Sequence, residues 1–126
     1  MGKLWLSQVT ANQEQPVTQL LDAHEDVHGV AVLALKDVVY VVYARGDDTT
    51  GNIWIVKSLG DQQWSTPVQL TAAPLPDGQE QAYLDREPCI TQFNDEIWIA
   101  FSRSQNGKAS VIEYLKLDAA VFEEAQ

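Results

Sequence analysis

The chain has 126 residues, enough for one domain, with 45% apolar residues and a formal net charge of −10. The apolar content excludes a disordered acidic tail, and the charge disfavours nucleic acid and membranes as partners, because phosphates and anionic lipids are bound through Lys and Arg. Residues 1–20 lack the apolar core of a signal peptide, and no apolar run approaches the roughly 20 residues of a membrane span. We therefore expect a soluble domain.

The N-terminal region contains a segment with two possible structures. Residues 15–20, Gln-Pro-Val-Thr-Gln-Leu, are similar to residues 66–70, Thr-Pro-Val-Gln-Leu, which favours a strand at about 15–21. The apolar residues between Pro16 and His24 also have helical spacing, with a proline near the first turn. A helix over 16–25 is therefore the alternative.

The clearest signals are short strands rich in Val, Ile, Tyr and Trp. They lie at 29–35, 38–43, 53–56, 97–101 and 111–117. Asn94-Asp95 and Asn106-Gly107 predict tight hairpin turns between strands. The only cysteine, Cys89, excludes an internal disulfide, and its apolar neighbours predict a buried thiol.

Two of these strands, 38–43 and 97–101, are continuously apolar, which predicts that both faces are covered. The intervening segments are too short for crossover helices, so the strands should pair antiparallel and the sheets should pack on other sheets. Stacked propeller blades provide that arrangement. The residues that we expect to be largely buried are Val39, Val41, Ile55, Ile97, Trp98 and Ile99.

A shift of 58 positions aligns the two halves of the chain. Asp37 then falls on Asp95, Arg45 falls on Arg103, and the apolar pattern of 39–43 falls on 97–101. The shared register predicts two copies of one unit, with chance matching of apolar residues as the alternative.

Residues 58–70 resemble the Asp-box loop and following strand of sialidase-like, BNR-type β-propellers. Trp64-Ser65-x-Pro67-x-x-Leu70 matches the Trp-Ser-x-Pro-x-x-Leu strand of that family. The preceding Asp-box is degenerate, because it is one residue short and lacks its central glycine.

The resemblance implies an all-β fold with two antiparallel, four-stranded propeller-type blades in a single domain, 1–126. Blade one, about 29–70, would contain strands at 29–35, 37–45, 52–59 and 64–70. Blade two, about 86–122, would contain strands at 88–93, 95–103 and 110–117. The N-terminal strand at about 15–21 would complete blade two, from the same or a neighbouring chain. A helix is the alternative structure at 117–126.

Two blades cannot close a propeller, which has roughly four to eight. The apolar end faces of a two-blade unit would be exposed, and exposed faces of that kind mark interaction sites. We therefore expect a cyclic homo-oligomer of two or three chains.

Five residues are candidates for ligand binding: His28, Arg45, Arg86, Trp98 and Arg103. Arg86-Glu87-Pro88 resembles the Arg-Ile-Pro element of sialidases, in which the arginine helps to bind the substrate carboxylate. Arg45 and Arg103 end the second strands of the two repeats, and His28 lies 58 positions before Arg86. The alternative for the arginines is a structural ion pair. Trp98 could stack on a sugar or pack in a blade core.

No catalytic residue is selected by the spacing of the carboxylates, although a glycosidase needs a pair at fixed separation. His24 and His28 are four positions apart, but no third metal ligand is implied, and neither a metal site nor a cofactor is expected. The predicted function is therefore a non-catalytic binding module of β-propeller type, with a carbohydrate or a protein as ligand. The alternative is a fragment or relative of a sialidase-like glycoside hydrolase.

Overall fold

The computed structural model describes residues 2–8, 17–47, 50–71, 83–104 and 109–124. Within these ranges it contains nine strands and one short helix: β1 (Gly2–Gln8), β2 (Val17–Leu35), β3 (Val38–Gly46), β4 (Gly51–Gly60), β5 (Gln63–Trp64), β6 (Val68–Gln69), β7 (Leu84–Phe93), β8 (Glu96–Ser104), β9 (Val111–Lys116) and α1 (Ala120–Glu124). The predicted all-β class is confirmed. Within the described ranges, no helix is long and apolar enough to cross a membrane.

The strands follow the order β1-β2-β3-β4-β7-β8-β9, and β5 and β6 both pair with β4. Neighbouring strands are antiparallel except at one parallel pair, Gly51 with Leu84, which joins β4 to β7. The antiparallel pairing of 38–43 with both 29–35 and 53–56, and of 97–101 with its neighbours, is as predicted.

The sheet has three parts that pack on one another. The N-terminal hairpin consists of β1 and the first half of β2, residues 17–27, which pair with each other. The central sheet consists of the second half of β2 with β3, β4, β5 and β6. The C-terminal sheet consists of β7, β8 and β9.

Strand β3 shows how the central sheet is covered on both faces. Val41 and Tyr43 pack against the N-terminal hairpin, where the cluster includes Leu4. Val42 and Ala44 point the other way and pack against the C-terminal sheet. Because successive side chains of a strand alternate between faces, a strand between two layers must be apolar at every position. The predicted coverage of 38–43 on both faces is confirmed.

The cluster between the central and C-terminal sheets also includes the short helix. Its buried members are Val42, Ala44, Ile53, Ile55, Ile99, Phe101 and Phe122. Phe122 on α1 lies 6.4 Å from the Tyr40 ring, measured between centroids. The helical alternative for 117–126 is therefore realised from Ala120 to Glu124.

The N-terminal strand is confirmed from Val17 onward, whereas Gln15 and Pro16 lie outside the described residues. Its partner is β1, with Leu6 opposite Gln19, and among the described strands β9 pairs only with β8. The prediction that this strand completes the sheet of 110–117 within the chain is therefore wrong. The nearby β1 was not predicted as a strand, and pairing with it closes a much shorter loop.

The 58-residue repeat is visible in the backbone. Gly29 and Glu87 both have positive φ, and each lies at an irregularity between paired strands. Lys36 and Asn94, also 58 positions apart, both have positive φ in two-residue hairpin turns. The turn predicted at Asn94-Asp95 is confirmed, and that at Asn106-Gly107 lies outside the described residues.

The third strands of the two repeats differ in register by one residue. Arg45 is opposite Asn52, but Arg103 is opposite Val111, so β4 corresponds to β9 at a shift of 59. As a consequence, Ile53 corresponds to Ile112 and Ile55 corresponds to Tyr114.

Three burial predictions need correction in the C-terminal sheet, those for Cys89, Trp98 and Ile97. Cys89 is exposed, and Trp98 is partly exposed, because nothing among the described residues covers the side of this sheet that faces away from the central sheet. The strand at 97–101 is thus covered on one face only. Val39 and Ile97 are also only partly buried because they lie next to hairpin turns, whereas Val41, Ile55 and Ile99 are buried as predicted.

We predict that Ile99→Ala lowers the free energy of unfolding by about 2–5 kcal/mol, because it leaves a cavity between the central and C-terminal sheets. The control is Val32→Ala on β2, an exposed position where the change should stay within about 0.5 kcal/mol. Chemical denaturation of the two variants measures the difference. Equal losses would contradict the packing of β8 on the central sheet.

Candidate functional site

Arg103, a candidate ligand-binding residue, is held by a buried carboxylate. Its Nε donates to Asp85 Oδ1 at 2.8 Å and its Nη2 donates to Asp85 Oδ2 at 3.0 Å. Asp85 is fully buried and lies opposite Arg103 in the β7–β8 ladder. This two-point contact matches the planar guanidinium to the carboxylate and fixes both side chains.

Asp85 also links the C-terminal sheet to the central sheet. Thr71 Oγ1 donates to Asp85 Oδ2 at 2.7 Å and accepts the backbone N–H of Ile53 at 2.9 Å. A chain of hydrogen bonds therefore runs from Arg103 through Asp85 and Thr71 to β4. Its inner members are buried, so loss of one would leave a polar group without a partner.

The first repeat contains a similar arrangement. Arg45 Nη1 donates to Asp22 Oδ2 at 3.2 Å, and the Tyr43 hydroxyl donates to the same oxygen at 2.6 Å. The Arg45 guanidinium also lies 3.8 Å from the ring centroid of Trp54. Arg45 and Arg103 thus both have the structural ion pair that the sequence left open as the alternative to ligand binding.

Two groups in these networks, Tyr43 and Arg103, have raised pKa values. Burial and the hydrogen bond to Asp22 raise the pKa of Tyr43 well above its ordinary value, so its phenol stays neutral. The hydrogen bonds to Asp85 raise the pKa of Arg103, which stays a cation.

The other two basic candidates lie near the same end of the strands. Arg86 Nη2 donates to the backbone carbonyl of Asp47 at 3.0 Å, two residues beyond Arg45. His28 lies opposite Ala44, next to the irregularity at Gly29. The structure therefore gathers His28, Arg45, Arg86 and Arg103 toward one end, while Trp98 is five residues away from Arg103 along β8.

Trp98 belongs to an apolar surface on the C-terminal sheet that we call the outer face. The residues of the outer face are Cys89, Thr91, Phe93, Trp98, Ala100, Ile112 and Tyr114. They share one side of the sheet because directly paired residues point the same way. Phe93, Ile112 and Tyr114 are 64%, 72% and 71% exposed.

The centre of the outer face is a shallow cavity of about 420 Å³. Trp98 and Tyr114 form one wall, with ring centroids 5.7 Å apart. The Trp98 Nε1 atom is buried and has no hydrogen-bond partner among the described residues. At the end of the sheet, Lys116 Nζ and Glu96 Oε2 form an ion pair at 3.0 Å. The face is thus apolar at its centre and charged at one edge, as protein interfaces are.

The face of the central sheet that is equivalent to the outer face is buried in the core. Ile53 and Ile55, which correspond to Ile112 and Tyr114, are 0% exposed because the C-terminal sheet covers them. Sequence reasoning expected an exposed apolar end face but did not assign Ile112 and Tyr114 to it, since the shift of 58 aligned Ile53 with Val111. A shift of 59 for the third strand would have found it.

A second, more polar cleft of about 350 Å³ lies beside the N-terminal hairpin. Its lining includes Trp64, Leu6, Asp37, Gln19 and Gln62. Trp64 Nε1 donates to Gln19 Oε1 at 3.1 Å, and Gln19 Nε2 donates to the backbone carbonyl of Gln62 at 2.6 Å. The Gln19 amide therefore already serves to hold the cleft together.

Comparison with known proteins assigns no family, because the chain matches no family model, no curated protein and no solved structure. Among the residues that the structure describes, no three His, Cys, Asp or Glu side chains come together as a metal site. The outer face is the strongest candidate for a functional surface because it exposes the large apolar side chains of Phe93, Ile112 and Tyr114.

We predict that Asp85→Asn lowers the free energy of unfolding by about 3 kcal/mol or more, because it removes the buried counter-charge of the Arg103 cation. The matched control is Glu96→Gln, which breaks the exposed ion pair with Lys116 on the same sheet and should cost about 0–1 kcal/mol. Urea denaturation of both variants tests this. Similar losses would mean that the buried pair has no special role.

Alkaline pH should destabilise the protein through Tyr43. Above about pH 10 the unfolded chain loses this phenolic proton while the folded chain retains it, so stability falls by up to about 1.4 kcal/mol per pH unit. Below about pH 10 the Tyr43 phenol is protonated in both the folded and the unfolded chain, so this loss of stability is absent. The free energy of unfolding of Tyr43→Phe should fall less steeply with pH than that of the wild type, when both are measured by denaturant unfolding between about pH 8 and 11. Parallel pH profiles would contradict the raised pKa.

Proposed function

We propose that the chain is a non-catalytic binding module of β-propeller type, which docks a protein through the outer face. The observation that carries the proposal is the contrast between Ile112 and Tyr114, 72% and 71% exposed, and their fully buried equivalents Ile53 and Ile55. Large apolar side chains at exposed positions of this kind mark interaction sites.

The propeller part of the proposal is supported by the direction in which the units stack. The C-terminal sheet packs on the central sheet through Ile99 and Phe101. Their equivalents, Val41 and Tyr43, are the residues through which the central sheet packs on the N-terminal hairpin. Each unit thus turns the same face toward the unit before it, which is how propeller blades follow one another.

The first strands of the two repeats, the second half of β2 and β7, also contact each other at equivalent positions. A Cβ atom on Gly29 would lie 3.6 Å from Pro88 Cδ and 3.8 Å from the Glu87 nitrogen. Gly29 and Glu87 both have positive φ, and they lie at the irregularities where β2 and β7 approach each other. This contact supports a regular stack of units.

A protein ligand fits the outer face better than a carbohydrate does. The cavity is lined mainly by aromatic and aliphatic groups, and its oxygen- and amide-bearing side chains are Thr91, Gln92 and Tyr114. A sugar would need more hydrogen-bonding groups for its hydroxyls, whereas an apolar protein surface would not.

A carbohydrate is the second candidate ligand, supported by the cleft in which Trp64 stands beside Asp37 and several amides. An aromatic ring next to carboxylate and amide groups suits a sugar. The alternative of a sialidase-like hydrolase has less support, because buried carboxylates hold two of its three candidate arginines, Arg45 and Arg103.

We predict that the outer face contributes little to the stability of the single chain. The double variant Ile112→Thr/Tyr114→Thr should change the free energy of unfolding by about 0.5 kcal/mol or less per substitution, and Thr preserves strand propensity. The matched equivalents Ile53→Thr and Ile55→Thr should each lose about 2–4 kcal/mol. Unfolding at several protein concentrations, extrapolated to high dilution, excludes any effect of association.

If the double variant is destabilised as much as the Ile53 and Ile55 variants, the outer face belongs to the core of the chain and the proposal fails.

A glycan array distinguishes the two ligand classes. Wild-type binding to a glycan that the double variant loses would assign the outer face to a carbohydrate. Glycan binding that both proteins share would favour the Trp64 cleft.

A further inference from the structure

The geometry points to a second copy of this chain as the occupant of the outer face, docked head to tail through its N-terminal hairpin. This inference rests on the proposed docking function and specifies its partner. It follows from three observations: what covers the equivalent face inside the chain, what the opposite end of the stack exposes, and how the internal interfaces are oriented.

The chain itself shows what covers a face of this type. In the central sheet, the face that contains Val42, Ile53 and Ile55 is covered by another unit of the same repeat. The outer face contains the corresponding residues, with Ala100, Ile112 and Tyr114 at those positions. Within the molecule, a face of this type therefore already packs against another unit of the same repeat. This makes a further copy of the repeat the best-supported occupant of the outer face.

The opposite end of the stack exposes two large apolar side chains beside charged residues, which include Lys3 and Glu25. On the N-terminal hairpin, Trp5 and Leu20 lie directly opposite each other on β1 and β2 and are 57% and 43% exposed. Leu4, Leu6 and Leu21 of the same hairpin pack on the central sheet. Trp5 and Leu20 therefore form the side of the hairpin that is turned away from the rest of the chain.

The internal interfaces favour a head-to-tail arrangement over pairing of two outer faces. Between the central and C-terminal sheets, the Val42 face of one unit meets the Ile99 face of the next, and these faces are not equivalent. No face in the described part of the chain packs against its own equivalent. A repeat of this contact between chains is heterologous, and it closes into a ring if the rotation per chain allows.

Cys89 provides a built-in reporter for docking. It is the only cysteine in the chain, it is exposed, and it lies opposite Ala100 within the outer face. Docking of a second chain on this face should cover the thiol and slow its reaction with a maleimide.

The test uses two complementary variants of the full chain. The outer-face variant is Ile112→Thr/Tyr114→Thr, and the hairpin variant is Trp5→Thr/Leu20→Thr. All four positions are exposed, so both variants should fold, which circular dichroism and denaturation verify. Phe93→Ser, at a third exposed position of the outer face, is an independent version of the first variant.

Sedimentation velocity from micromolar to millimolar protein should show association of the wild type and monomers of each variant alone. An equimolar mixture of the two variants should form a dimer and nothing larger, because one intact outer face meets one intact hairpin. In the mixture, Cys89 of the hairpin variant should react about tenfold more slowly once nine-tenths of it is bound. Cys89 of the outer-face variant should keep its rate.

Association of the hairpin variant with itself would overturn the head-to-tail arrangement, since outer faces would then pair with each other. A mixture that remains monomeric would also overturn it. A wild type that stays monomeric at millimolar concentration, while the outer-face variant retains full stability, would overturn the second copy as partner. That last result leaves the proposed docking function intact. Destabilisation of the outer-face variant would instead contradict both the docking function and the second copy as its partner.

Discussion

Strand β3 is apolar on both faces, and the architecture of this chain follows from the cover that each of these faces needs in water. β3 contributes Val41 and Tyr43 to one cluster and Val42 and Ala44 to the other. The central sheet therefore needs a layer on each side. The N-terminal hairpin and the C-terminal sheet are those layers, and neither has a second cover of its own among the described residues.

Buried ion pairs complement this apolar packing by fixing the ends of the strands. Asp22 and Asp85 are buried carboxylates, and each binds the arginine that ends the second strand of its repeat. Through Thr71, the Asp85 network also joins two sheets. Apolar side chains can slide on one another, whereas hydrogen bonds with defined donors and acceptors specify a single alignment.

The proposed function rests on an apolar face of the C-terminal sheet that no described residue covers. The C-terminal sheet keeps large apolar side chains at the positions that are buried in the central sheet, so Ile112 and Tyr114 stand in water where Ile53 and Ile55 do not. We propose a protein partner because the equivalent face of the central sheet is covered by another part of the chain. The polar Trp64 cleft is the place where a carbohydrate would be sought instead.

The sequence did not reveal β1, but by itself it determined the strands at 29–35, 38–43, 53–56, 97–101 and 111–117, their antiparallel pairing, the turn at Asn94-Asp95 and the repeat of Asp37 at Asp95. These features depend on local propensity and on the alternation of side chains, which neighbouring residues encode. The one-residue change of register in β9 lay beyond a fixed shift of 58, so the correspondence of Ile112 with Ile53 was missed.

Only the tertiary structure decided which apolar faces are covered and which partners the charged groups find. Cys89 and Trp98 have strand patterns typical of a core, yet they lie on a side that no described residue covers. The arginines appeared as ligand-binding candidates because their carboxylate partners are distant in sequence: Asp22 lies 23 positions from Arg45, and Asp85 lies 18 positions from Arg103. A local pattern records that a side chain is apolar or charged, but the surface or ion that it meets is set by how the layers stack.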